Sequence, residues 1–157
     1  MIKPHPKQFL NPNTPFHQNG HETKISTCDF WQWAFSDFQQ NNIRGVLAEF
    51  IVAKALDLPL NVRNTWDDYD LETTNGLKIE VKSGGYLQSW KQKGLSKITF
   101  GGLRGKVWDH DQCDYVGESL YRADVYVFAV QTAETHATFD SLDLTQWEFY
   151  GSRGHSR

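Results

Sequence analysis

The chain has 157 residues, with 19 acidic and 16 basic side chains and a net charge of −3. This length is typical of a single domain with one core. Apolar residues make up 39% of the chain, and no apolar run approaches the ~20 residues of a membrane span, which excludes a membrane-spanning protein. The two cysteines form no Cys-x-x-Cys pair, which argues against a zinc site and a disulfide framework.

The N-terminal residues are polar and contain several prolines. Residues 1–24 are predicted to form an extended arm, followed by one domain over residues 25–150 and a frayed tail over residues 151–157. The arm lacks the apolar stretch of a signal peptide, so we expect a cytoplasmic protein.

Two helices are predicted after the arm. Ser26 or Thr27 is expected to cap the first, which would run through Phe38. The second covers residues 43–56, with Asn42 as its N-cap. Its predicted buried arc consists of Ile43, Val46, Leu47, Phe50, Ile51 and Ala53.

Glu49 lies at one margin of that arc. A carboxylate beside an apolar stripe is costly unless it meets a cation or a donor, which makes Glu49 a candidate outer or third ligand of a metal. The alternative is a surface acid, or a salt bridge to Arg44 or Lys82.

A short strand is predicted over residues 60–64, and residues 68–82 have the pattern of a hairpin. Residues 77–82 alternate apolar and charged side chains, so Glu80 and Lys82 share one face. A two-residue turn would put Asp70 on the wrong face. A three-residue loop over residues 74–76, with Gly76 left-handed, sets Asp70 opposite Glu80.

Two carboxylates directly opposed in a sheet repel each other, and a cation between them removes the repulsion. The hairpin therefore predicts a divalent metal at Asp70 and Glu80. The alternative is that Asp70, Glu80 and Lys82 are ordinary solvated residues of an exposed sheet face.

The remaining elements follow in order. Ser83 to Gly85 are predicted to end the strand, Gln88 to open a third helix, and residues 123–130 and 147–150 to form two further strands. This order predicts an α/β domain with a central mixed β-sheet flanked by helices.

The combination of a helical glutamate, an aspartate, a hairpin and Glu-x-Lys resembles the PD-(D/E)xK phosphodiesterase superfamily. Residues 44–100 closely resemble a group of bacterial proteins assigned to it. The resemblance implies a restriction-endonuclease-like fold and a homodimer. The chain departs from the family pattern at WDDYD, where Pro-Asp is expected, so either Asp68 or Asp70 is the ligand.

Carried over to this chain, the resemblance implies Mg²⁺, replaceable by Mn²⁺, bound by Asp70, Glu80 and the backbone carbonyl of Val81. Lys82 would orient the attacking water or neutralise phosphate charge, and Gln88 would contact the substrate. Mg²⁺ is commonly held by one or two carboxylates together with substrate phosphate, which agrees with this ligand set.

Positive charge is concentrated beside Glu80, because residues 77–106 contain seven basic side chains and one acidic one. Such a segment can follow a phosphate backbone. Its alternative is a set of solvated surface charges. The candidate DNA contacts are Lys91, Lys93, Lys97, Arg104 and Lys106.

These features predict a Mg²⁺-dependent deoxyribonuclease of the restriction, repair or recombination type, without a small-molecule cofactor. The alternative is a noncatalytic nucleic-acid-binding or assembly module that retains the nuclease fold. A ribonuclease is a third possibility.

Overall fold

The computed structural model describes residues 5–65, 67–109 and 111–154. The chain divides into two compact units, Met1–Asp37 with Leu60–Arg63, and Phe38–Pro59 with Asn64–Arg157. All the candidate site residues belong to the second unit. Among the described helices, none combines the length and the apolar character needed to cross a membrane.

The first unit contains a hairpin and a helix. Strands β1 (Pro15–Gln18) and β2 (His21–Ser26) pair antiparallel around a turn at Asn19 and Gly20, and helix α1 (Thr27–Phe35) follows. The sequence interpretation did not anticipate this hairpin within the arm. The predicted cap is confirmed at Ser26, whose hydroxyl accepts a hydrogen bond from the backbone N–H of Asp29 in a capping box.

The second unit is built on a four-stranded sheet. Its helix is α2 (Asn41–Ala55), and its remaining elements in chain order are β3 (Leu71–Glu72), β4 (Lys78–Gly85), β5 (Gly105–Asp109), β6 (Asp114–Leu120), β7 (Val125–Gln131), a 3₁₀ turn (Leu144–Gln146) and β8 (Trp147–Arg153). The sheet order is β3-β4-β7-β8, and β5 and β6 form a separate hairpin.

The four-stranded sheet is mixed, because β4 and β7 run parallel while the outer pairs are antiparallel. The protein is therefore a small mixed α/β protein, as predicted. The sheet was also expected to be flanked by helices, but α2 is the one α-helix in the described part of this unit, and an irregular segment covers the other face. The two strands predicted near the C-terminus are also confirmed, as β7 and β8. Since β8 continues to Arg153, residues 151–153 are strand residues and not part of a tail.

The core lies between α2 and one face of the sheet. Ile79 and Val81 of β4 are buried against Ala48 and Val52 of α2. Glu80 and Lys82 alternate with these residues and so occupy the opposite face, as predicted. One strand thus supplies both core side chains and candidate site side chains.

The buried face of α2 differs from the predicted arc. Val46 and Phe50 are 42% and 49% exposed, whereas Arg44 and Glu49 are buried. Small side chains such as Ala48, fully buried here, allow the helix to lie close to the sheet. The arc is confirmed at Ile43 and Ala53, which are buried, and at Leu47 and Ile51, which pack against the core. It is wrong at Val46 and Phe50, because hydropathy alone places apolar residues inside and charged residues such as Arg44 at the surface. The helix also begins earlier than predicted, with Gln40 as its N-cap.

Two predicted elements are absent from residues that the structure describes throughout. Residues 60–64 are irregular where a strand was predicted, and residues 86–104 form neither helix nor strand where a helix was expected to open at Gln88. Strand β4 also continues through Gly85 instead of ending at Ser83. The side chain of Gln88 bonds the carbonyl of Gly85 at 2.9 Å, which favours a local turn over a helix.

The irregular segment crosses the second face of the sheet. The ring of Phe100 lies 4.8 Å from that of Phe128, measured between centroids, and the hydroxyl of Tyr126 donates a hydrogen bond to the carbonyl of Leu103 at 2.9 Å. These contacts hold residues 98–105 over the face that carries Glu80 and Lys82.

Candidate functional site

The hairpin has the three-residue loop that the sequence predicts. Leu71 pairs with Ile79, and the N–H of Thr73 donates to the carbonyl of Leu77 at 3.0 Å. Gly76 has a φ of +82°, the left-handed conformation that the loop requires. The same register, continued past the end of β3, sets Asp70 opposite Glu80.

Asp70 lies where β3 separates from β4. Its N–H donates to the carbonyl of Ile79 at 3.0 Å, and its Oδ2 accepts a hydrogen bond from the N–H of Val81 at 2.8 Å. The side-chain carboxylate of Asp70 therefore accepts the hydrogen bond that a backbone carbonyl would accept if β3 continued alongside β4. Because the N–H and C=O of one strand residue point to the same edge, the carbonyl of Val81 is directed to the edge that holds Asp70.

Three carboxylates act on one another at this point. Burial, and next the neighbouring carboxylate of Glu49, raise the pKa of Asp70 to about 7, and Glu80 adds to the increase. The Val81 hydrogen bond and the charge of Lys82 act in the opposite direction, lowering the pKa of Asp70. The pKa rises overall because burial of the carboxylate is the largest of these effects and the charges of Glu49 and Glu80 add to it.

Lys82 contacts Glu80 directly. Its Nζ lies 2.6 Å from Oε1 of Glu80, and the two side chains are 28% and 18% exposed. The alternation of β4 predicts this neighbourhood, since both residues leave the strand on the same face. The ion pair keeps the ammonium group beside the carboxylates while leaving it partly open to solvent.

The oxygen atoms around Asp70 meet some of the requirements of a site for a hard divalent cation. Among the described residues, no three histidine, cysteine, aspartate or glutamate side chains are grouped to hold a metal ion. Mg²⁺ does not require three, because it retains waters and is commonly held by one or two carboxylates. Asp70 and Glu80 with the carbonyl of Val81 form an all-oxygen set, and mutual repulsion of the carboxylates favours a bound cation.

A cleft of about 280 Å³ opens beside these residues. Its lining includes four carboxylates: Asp67, Asp68, Asp70 and Glu80. It also includes three cationic side chains: Arg104, Lys106 and Arg122. The cleft thus combines positive charge with a carboxylate cluster, an arrangement suited to a phosphate bridging a metal ion and basic side chains. Asp68 and Asp70 both line it, and the Val81 bond belongs to Asp70.

The structure brings together only part of the predicted basic set. Arg104 and Lys106 line the cleft, while Lys91, Lys93 and Lys97 are exposed on the irregular segment and do not line it. Sequence reasoning missed Arg122, which lies outside the basic stretch.

Two backbone carbonyls fix the side chain of Arg122. Its Nε donates to the carbonyl of Gly105 at 3.2 Å, and its Nη2 donates to the carbonyl of Glu118 at 2.9 Å. One sequence signal could have identified Arg122. It directly precedes residues 123–130, which were predicted to form a buried strand, and a charged residue at the end of such a strand can lie at the edge of a site.

Gln88 has a different environment from the other candidates. It is buried, its Nε2 donates to the carbonyl of Gly85 and to the hydroxyl of Ser96, and its Oε1 lies 3.5 Å from Nη2 of Arg44. Arg44 is itself buried, and burial lowers the pKa of its guanidinium. Gln88 is not among the residues lining the cleft; its bonds connect α2 to the residues after β4.

No family model, curated protein or solved structure matches this chain. The resemblance to the PD-(D/E)xK superfamily therefore rests on the residues of the chain and on their arrangement alone.

Proposed function

We propose that this protein is a cytoplasmic PD-(D/E)xK nuclease that hydrolyses phosphodiester bonds of DNA with Mg²⁺ or Mn²⁺. The observation that supports this most strongly is the register that brings Asp70 to Glu80, Lys82 and Val81, beside a cleft that Asp70 and Glu80 line together with three cationic side chains. Carboxylates that repel one another until a cation binds are suited to a resident metal.

In this proposal Asp70, Glu80 and the carbonyl of Val81 hold the metal, with Glu49 as an outer residue. When bound, Mg²⁺ stabilises charge on the reacting phosphate and lowers the pKa of a water. Lys82 orients that water or offsets negative charge as it develops. Arg104, Lys106 and Arg122, which line the same cleft, bind the phosphates of the strand.

The test is cleavage of supercoiled, linear, branched and single-stranded DNA by the wild type and by Lys82→Ala, with Mg²⁺ or Mn²⁺. We expect the variant to lose about 10²–10³-fold in rate, as other preorganised charge-stabilising groups do. Lys54→Ala is the matched control, since Lys54 is an exposed lysine of α2 that is not a candidate DNA contact. Equal background rates in wild type and Lys82→Ala would contradict the proposal.

The alternative function is a noncatalytic nucleic-acid-binding or assembly module. The grouping of basic side chains in the cleft is compatible with binding alone, and binding without Lys82-dependent cleavage would favour this alternative. The same assay with RNA tests the ribonuclease possibility. A homodimer stays a prediction, which sedimentation of the purified protein tests directly.

A further inference from the structure

The hairpin β5–β6 adds two aromatic rings to the cleft. Trp108 and Tyr115 are directly paired across the hairpin, with ring centroids 5.0 Å apart in an edge-to-face arrangement, and both line the cleft. Tyr115 is 54% exposed, so its ring is accessible. Paired strand residues share one face, so the two rings form a single aromatic surface beside the cationic side chains.

The hairpin that carries this aromatic surface is anchored at the start of β5. Arg122 bonds the carbonyl of Gly105 at the start of β5, and the hydroxyl of Tyr126 bonds the carbonyl of Leu103 just before it. Arg104 lies 4.8 Å from the ring centroid of Tyr121, which also fixes its guanidinium. Aromatic rings, basic side chains and carboxylates are therefore held around one cavity.

The volume of the cleft is compatible with a single nucleotide. A volume of about 280 Å³ is at the lower end of small-ligand sites, near the scale of one nucleotide. A duplex keeps the faces of its bases stacked, so aromatic side chains reach them only when a nucleotide leaves the stack or the strand is single.

We infer that the site selects an unpaired nucleotide, in single-stranded DNA, a flap or a frayed end, with Trp108 and Tyr115 stacking on its base. Arg104, Lys106 and Arg122 then bind the adjoining phosphates. This inference rests on the proposed function for its catalytic meaning, but the binding preference can be measured without turnover.

The experiment measures binding by Lys82→Ala in Mg²⁺, a background in which cleavage is slow. The probes are a short fluorescent single strand and the same strand in a blunt duplex. We expect the single strand to bind more tightly. Trp108→Ala and Tyr115→Ala should each weaken its binding about 5- to 150-fold, as for other base-stacking residues, and leave duplex binding unchanged.

Matched variants separate stacking from folding. Trp108→Phe and Tyr115→Phe retain a ring and should retain most of the binding. Trp33→Ala removes a tryptophan that is 85% exposed and does not line the cleft, and should change nothing. If Trp108→Ala fails to fold, Tyr115→Ala decides, because its side chain is the more exposed of the two.

Equal binding of duplex and single strand, or unchanged single-strand binding by the alanine variants, would overturn the inference. Lys82-dependent cleavage of duplex without a single-strand preference leaves the proposed function standing and removes this inference. Aromatic-dependent single-strand binding without any cleavage by the wild type supports the inference and removes the nuclease.

Discussion

Opposing interactions act on the ionised carboxylate of Asp70. Its carboxylate accepts the Val81 hydrogen bond, yet burial and the charges of Glu49 and Glu80 disfavour its ionised form. A group of this kind lowers the stability of the metal-free protein at neutral pH, and binding sites commonly have this property. The sequence predicts the neighbours of Asp70 through the hairpin, but the burial that raises its pKa depends on α2 and on the separation of β3 from β4.

The pH dependence of stability follows from this pKa. In the unfolded chain Asp70 ionises near its usual pKa of 3.8, whereas in the folded protein its pKa is about 7. Between these values the folded state holds the extra proton, so the free energy of unfolding contributed by this group decreases as pH rises from about 4 to about 7. Asp70→Asn should remove that decrease and raise the free energy of unfolding at pH 8, without metal, by about 0.5–2 kcal/mol.

Thermal unfolding across this pH range measures the effect, with Asp68→Asn as the matched control. Asp68 also lines the cleft, but its charge is not among those that act on Asp70, so its replacement should leave the Asp70-dependent decrease in place. Added Mg²⁺ or Mn²⁺ should raise the melting temperature of the wild type but not of Asp70→Asn. A lower stability of Asp70→Asn at pH 8 would show that the ionised carboxylate stabilises the fold.

At the scale of elements, local signals predicted the hairpin well. Alternation in residues 77–82 and the glycine at position 76 together define the strand, the loop and the register. The same kind of signal, Asn19 and Gly20, marked the β1–β2 turn, although the surrounding residues were interpreted as an arm. The irregular segment after β4 was not predictable, because Phe100, Tyr126 and Phe128 hold it through contacts between distant residues.

Gly76 is the residue on which the loop conformation depends. With φ at +82° and only Glu72 Oε1 within 4 Å of an added Cβ, Gly76→Ala is opposed by backbone strain and not by a clash. We expect a loss of about 1 kcal/mol in the free energy of unfolding, measured by urea denaturation. Gly94→Ala is the control, since Gly94 has open space around it and should lose little. An equal loss of stability in both variants would show that the left-handed conformation of Gly76 is not the cause.

At the scale of the whole molecule, charge is unevenly distributed. The protein carries a net charge of −3, yet three cationic side chains meet in one cleft. Composition revealed the basic stretch over residues 77–106, but not which of its members gather together. Arg122 joins Arg104 and Lys106 only because the chain returns to the sheet at β7, a contact that single-sequence patterns do not encode.

Salt dependence tests how many of these cations contact phosphate. If Arg104, Lys106 and Arg122 are the main contacts, the logarithm of the single-strand binding constant should fall against the logarithm of salt concentration with a slope of roughly −2. Arg104→Gln should make the slope shallower, and Lys93→Gln should leave it unchanged. A slope of roughly −4 that Lys93→Gln reduces would instead assign phosphate contacts to the lysines of residues 91–97.

The eight residues of β4 contribute to the core on one face of the sheet and to the candidate site on the other. Ile79 and Val81 pack in the core, and Glu80 and Lys82, which alternate with them, form an ion pair on the opposite face. Losing or gaining a single residue within this strand would exchange the two sets, placing carboxylate and ammonium groups in the apolar interior and isoleucine on the charged face beside the cleft. Related chains can therefore vary in side chains along β4, but hardly in its length.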